Sequence, residues 1–84
     1  MILGIYAVHD AKVGYMIPSF QQNDALAARN FELDCEAPEA APIRKHPEDF
    51  RLYNIGSYNT ETGELKSVTP TVIADPKADL EWKE

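Results

Sequence analysis

A single cysteine, Cys35, closes off any disulfide framework, and one cysteine with two distant histidines, His9 and His46, matches no structural zinc spacing. No glycine-rich phosphate loop occurs, and no serine or cysteine sits in a recognisable nucleophile setting, so enzyme chemistry is not expected. The longest apolar run at the N-terminus, Met1 to Val8, is too short to span a bilayer, which argues against a membrane role. A lone cysteine without a secretory leader pattern suits a reducing cytoplasm. Positive charge is scarce too. Eight Lys and Arg stand against fourteen Asp and Glu, a formal charge of −6. Nucleic-acid affinity rests largely on Lys and Arg displacing counterions, so the overall balance disfavours a phosphate backbone.

At 84 residues the chain has room for one core. A domain of this size buries only about 60 % of its unfolded surface, and with disulfide and metal excluded, self-association is the expected support. We therefore expect a homodimer or higher homo-oligomer, and no cofactor or metal.

The charges that are present are clustered. Glu32, Asp34, Glu36 and Glu39 form one acidic block and residues 75–84 a second, while Arg44, Lys45 and Arg51 gather three of the eight cations. An acidic chain with one local basic face is one reading. A plain solvated surface is the other.

Ile2 to His9 is apolar on both alternating faces and predicts an interior strand. The turn Asp10 to Gly14 leads into a second strand, Tyr15 to Gln22, in which Pro18 requires an edge position or a bulge. Asn23 or Asp24 caps a helix running to Cys35, whose stripe Ala27, Ala28, Phe31 and Cys35 should face the sheet. On that stripe Cys35 reads as a small core residue. The acidic residues at the helix C-terminus oppose the macrodipole, which local stability does not explain. Glu36 to Pro42, "EAPEAAP", reads as an exposed connector, and Pro47 with Glu48 and Asp49 as a turn or one helical turn. Phe50 to Tyr58 is a third strand in which Gly56 signals a bulge or a close backbone approach. The loop Asn59 to Glu64 returns the chain into Leu65 to Thr69; Pro70 interrupts, and Thr71 to Ala74 is a short last strand. The expected fold is α+β, a single domain over residues 1–76: an antiparallel sheet of four to five strands in the order β-β-α-β-β, with one helix on one face. Residues 77–84 form a flexible acidic tail in this reading. The uncovered sheet face could carry Tyr6, Tyr15, Phe20, Tyr53 and Tyr58, and exposed aromatic faces serve to stack bases or to make dimers.

His9-Asp10 ends a strand, where neighbours point to opposite faces and cannot form an acid–base dyad. His46, Glu48 and Asp49 lie in one local turn and lack further His or Cys ligands.

The stretch "HPEDFRLYNIGSYNTETG", His46 to Gly63, resembles a signature of the small nonstructural protein of gokushoviruses, single-stranded-DNA phages of the Microviridae. "YMIPSF", Tyr15 to Phe20, is similar to that family's proline-aromatic strand. Ala27-Ala-Arg29-Asn-Phe31 resembles its helix, and Pro70 with Val72-Ile73-Ala74 its last strand. The likeness departs from the pattern at Ser19, where a second aromatic is usual, and in the acidity of the helix. The resemblance implies a non-virion phage protein in the cytoplasm of the infected bacterium. It also implies a role in switching from genome replication to single-strand synthesis and packaging, by binding DNA, replication-complex or procapsid proteins, and it carries no catalytic residues. For strand binding, Arg44, Lys45 and Arg51 beside Tyr53 and Tyr58 are the best combination the sequence offers. The alternative is an acidic interaction module that binds a basic host or phage protein or mimics DNA charge.

Overall fold

The computed structural model describes residues 1–79. Its elements are β1 (Ile2–Asp10), β2 (Gly14–Tyr15), β3 (Ser19–Gln21), α1 (Asp24–Asp34), α2 (Ala41–Lys45), β4 (Phe50–Asn59), β5 (Leu65–Ala74) and the helical turn α3 (Pro76–Asp79). Single 3-10 turns occupy Pro38–Ala40 and Pro47–Asp49. All strand pairs are antiparallel, in the order β2-β1-β4-β5, with β3 also paired to β1. The protein is an α+β domain with β1 and β4 at the centre of a curled sheet, as the apolar alternation of both strands requires.

Two prolines shape the sheet edges. The expected strand Tyr15 to Gln22 is two short pieces. His9 pairs with Tyr15 and Tyr6 with Ser19, so an extra residue at Ile17–Pro18 stands opposite Ala7. Pro18 thus sits on an edge and in a bulge, where its missing N–H leaves no ladder bond unmade. Pro70 does not end a strand, contrary to the sequence expectation. β5 extends from Leu65 to Ala74, and the interruption is confined to the ladder, where Val68, Thr69 and Pro70 take no partner on β4 between the pairs Asn54–Thr71 and Gly56–Ser67.

The core lies on one face only. Asn23 caps α1 by accepting a 2.8 Å bond from the Leu26 amide, and the stripe Ala27, Phe31 and Cys35 meets Tyr6, Leu52 and Ala74. Tyr6 therefore belongs to the core and not to the open face. Its phenol donates a 2.6 Å hydrogen bond to the Asp24 carboxylate, so the polar end of a buried ring is satisfied. The connector after α1 is not an extended loop. Pro38 and Pro42 sit in the first turns of short helices, where their missing N–H groups cost nothing, and Ile43 and Ala40 tuck inward. Of the expected acidic tail, residues 77–79 belong to the helical turn α3 and residues 80–84 lie outside the described residues.

Burial pushes the Tyr6 hydroxyl up to about 12, with Asp24 adding to it. Burial likewise pushes the Cys35 thiol up to about 11, with the nearby Asp34 charge adding to it. Both groups are neutral when protonated, and the folded state holds those protons more tightly than the unfolded chain. Their contribution to stability is complete below the unfolded values, 9.0 for the thiol and 10.0 for the phenol, and is lost as pH rises through the folded ones. The urea midpoint should therefore fall between about pH 9 and 12, and Tyr6→Phe should flatten the upper part of that fall.

Candidate nucleic-acid interface

The second face of the sheet carries rings. The registers place Ala7 opposite Tyr53, Leu3 opposite Tyr58, His9 opposite both Tyr15 and Arg51, and Ile5 opposite Phe20. Odd-numbered β1 residues thus share this face with the tyrosines. Two ring clusters result. His9 lies 4.6 Å from Tyr15 and 6.0 Å from Tyr53, with Tyr15 and Tyr53 5.8 Å apart. Farther along, Phe20 and Tyr58 meet at 5.6 Å, at an interplanar angle of 70°. The rings lie over Ala7, which is only 2 % exposed, while Tyr15 and Phe20 remain about half exposed. The pairs meet tilted or edge-on, the arrangement that aromatic rings prefer.

Tyr53 and Tyr58 are five apart, and strict alternation would send them to opposite faces. The β1 register shifts between Ile5 and Tyr6, where Ile55 of β4 is left without a partner. That single bulged residue returns Tyr58 to the side of Tyr53. Gly56 follows it, and a side chain there would meet the carbonyl oxygen of Lys66 across the ladder. Sequence reading identified a bulge or close approach at Gly56; both are present. What it missed is His9 within the cluster, whose signal was its pairing with Tyr15 across a short turn.

The three cations do not form one patch. Arg51 is on the ring face beside His9, and its guanidinium pairs with Asp75 at 3.2 Å. Lys45 is exposed on α2, a helix on the core side of the sheet. Arg44 is engaged elsewhere: its Nη1 donates to the carbonyls of Cys35 at 2.6 Å and Ala37 at 2.7 Å. Those are carbonyls at and just beyond the α1 C-terminus, so Arg44 supplies the cation that the macrodipole of an acidic helix end calls for. The sequence offered it as a binding cation; the structure gives it a local structural task. Arg44→Ala should lower stability by about 1.5–3 kcal/mol, the range for hydrogen bonds to a charged group, read as a shift in urea midpoint. Lys45→Ala should leave the midpoint unchanged.

His46, Glu48 and Asp49 each bring one potential ligand atom within 4.8 Å of the others. All three come from the Pro47 turn, with His46 and Glu48 at 3.8 Å. Two of them are exposed, and water would have to complete most of the shell of any cation held there.

An antiparallel sheet with one helix-covered face and one ring-bearing face, on an acidic chain, defines a small α+β domain. The chain belongs to the family described as Phage ORF5 protein, whose model matches residues 3–78, and it is thus a bacteriophage protein. No curated protein and no solved structure matches it. Among the described residues no helix is long and apolar enough to cross a membrane.

Proposed function

We propose that the protein is a non-catalytic, single-stranded-DNA-binding protein of a phage, acting in the infected cell during the switch from genome replication to single-strand synthesis and packaging. The observation that carries this reading is the shared face of Tyr15, Tyr53, Phe20 and Tyr58, left uncovered by α1 and α2. Base stacking on such rings is worth about 1–3 kcal/mol per base and tolerates any sequence. Duplex DNA keeps its bases stacked internally and offers this face nothing but phosphates. The preference for single strands follows from that difference, and membership of a phage family together with the gokushovirus resemblance supports it.

Few phosphates are engaged in this reading. With Arg44 committed to α1 and Lys45 on the helix side of the sheet, Arg51 remains on the ring face, and one contact to a single strand gives a log–log salt slope of about −0.7. Titrating labelled oligo-dT and a duplex of equal length at two salt concentrations tests this. A slope steeper than about −3, or equal affinity for duplex, would place the interaction on the phosphates and sink the stacking mechanism.

A second reading rests on the acidic block. Glu32, Asp34, Glu36 and Glu39 are all exposed, and a basic phage or host replication protein would find complementary charge there. That reading becomes the better one if oligo-dT fails to bind at low salt.

A further inference from the structure

At the outer edge of the sheet a knob and a hole stand side by side. Ile17, in the bulge between β2 and β3, is 93 % exposed. Beside it, with Ile17 itself on the rim, a cavity of about 180 Å³ opens between α1 and the sheet edge, lined by Val8, Phe31 and Leu52 among apolar residues, by Gln21 and Asn30 among polar ones and by the acidic Asp34. Asn30 donates a 2.9 Å hydrogen bond to Gln21, so the mouth of the cavity is braced. We propose that two copies of the chain associate across this edge about a two-fold axis, each inserting Ile17 into the cavity of the other.

Self-complementarity argues for a second copy. A two-fold interface needs a patch in which one element fits another on the same surface, and a protruding side chain beside a recess of suitable size meets that condition. The recess holds the volume of about six waters at ~30 Å³ each, enough for the four carbons of an isoleucine side chain. An apolar anchor entering a pocket with a polar rim is also how binding energy concentrates at protein interfaces.

Charge narrows the occupant further. No charged residue occurs from Val13 to Asn23 in a chain of net charge −6. Charge on this edge is sparse, with Lys12 flanking Val13 and Asp34 on the cavity wall. Val13, Met16 and Ile17 are exposed by 82 %, 51 % and 93 %. Val13 precedes β2 and Met16 and Ile17 follow it, so the three exposed apolar residues fall on one stretch of the edge that the cavity adjoins. The bulge at Ile17–Pro18 breaks the ladder, so association rests on side chains and closes as a pair instead of extending as a ribbon. Neither the proposal nor its test depends on DNA binding.

Sedimentation velocity of the full chain over 1–100 µM tests it. The wild-type protein should sediment as a dimer at tens of micromolar. Ile17→Asp should raise the dissociation constant at least 100-fold with an unchanged far-UV spectrum, since that side chain touches little within its own protomer. Asn30→Arg, which obstructs the cavity mouth, should also give monomers. Mixing the two variants should restore a dimer, because one contact is then intact and the other pairs opposite charges. A wild-type monomer at 100 µM, including one that instead floats with lipid vesicles, overturns the proposal. So does an Ile17→Asp dimer, or a mixture that stays monomeric; if either charged variant fails to fold, Ile17→Ser serves, and an unaltered dissociation constant for it overturns the proposal equally.

Discussion

Gly56→Val should unfold the domain or bring it to the edge of unfolding at room temperature. A Cβ at this position runs into the backbone carbonyl oxygen of Lys66, with the Lys66 carbonyl carbon 3.3 Å and the Ser67 Cα 3.4 Å away. No rotamer change relieves a clash with backbone, so β5 must retreat from β4. The pairs Gly56–Ser67 and Ser57–Lys66 then separate, on a strand that is already an edge. A loss of about 4 kcal/mol or more is expected, the range reached only when backbone geometry or the core fails. At about 0.05–0.15 kcal/mol per residue, an 84-residue domain has total stability of roughly 4–13 kcal/mol, so the loss removes a large share of it. Gly63 supplies the control. It has a positive φ of 79° and nothing near its missing side chain, so Gly63→Asn should shift the urea midpoint little. Equal effects at the two glycines would mean the close approach at Gly56 is absent in solution.

Removing the two tyrosines of β4 should nearly abolish single-strand binding while leaving the fold intact. Tyr53→Ala and Tyr58→Ala should each weaken oligo-dT binding by about 1–3 kcal/mol, roughly 5- to 150-fold, if each ring stacks one base. The two rings belong to different clusters, Tyr53 with His9 and Tyr15, Tyr58 with Phe20. Their effects should therefore add, since separated sites without shared partners behave independently. Tyr→Phe at either position should keep most of the affinity, because stacking uses the ring and not the hydroxyl. An aromatic-to-alanine change without effect on binding, in a protein that still binds, would move the interface off this face.

Much of this architecture was legible in the sequence, and the misses have physical causes. The capped helix from Asp24, the hairpin at Asn59 to Glu64 and the placement of Cys35 follow from capping chemistry, turn residues and helical periodicity, all local signals. Pro18 and Gly56 announced irregularities because each changes what the backbone can do. Tyr6 was misassigned because alternation shows that residues share a face but not which face the helix will cover. Arg44 has a structural task that the sequence hides for a related reason. Its charge is visible in the sequence, but the carbonyls it serves come from residues seven and nine positions earlier, brought close by the turns at Pro38 and Pro42. The aromatic face depended on one unpaired residue, Ile55, and no side-chain pattern reports a shift of register between strands.

The helix-side core supports only one end of the β4–β5 hairpin, although β1 pairs with β4 as far as Asn59. The core meets it at Leu52 and Ala74, whereas every residue of β5 from Leu65 to Val72 is exposed. Backbone amides should therefore exchange with solvent on a gradient along the hairpin. Those near Leu52 should exchange only by global unfolding, and those near the Asn59–Glu64 turn by opening of the tip alone, at much lower free energy. Tyr58 stands near the loose end and Tyr53 near the anchored one. A strand laid across both rings would span a stiff contact and a compliant one, and its arrival should slow exchange most at the tip.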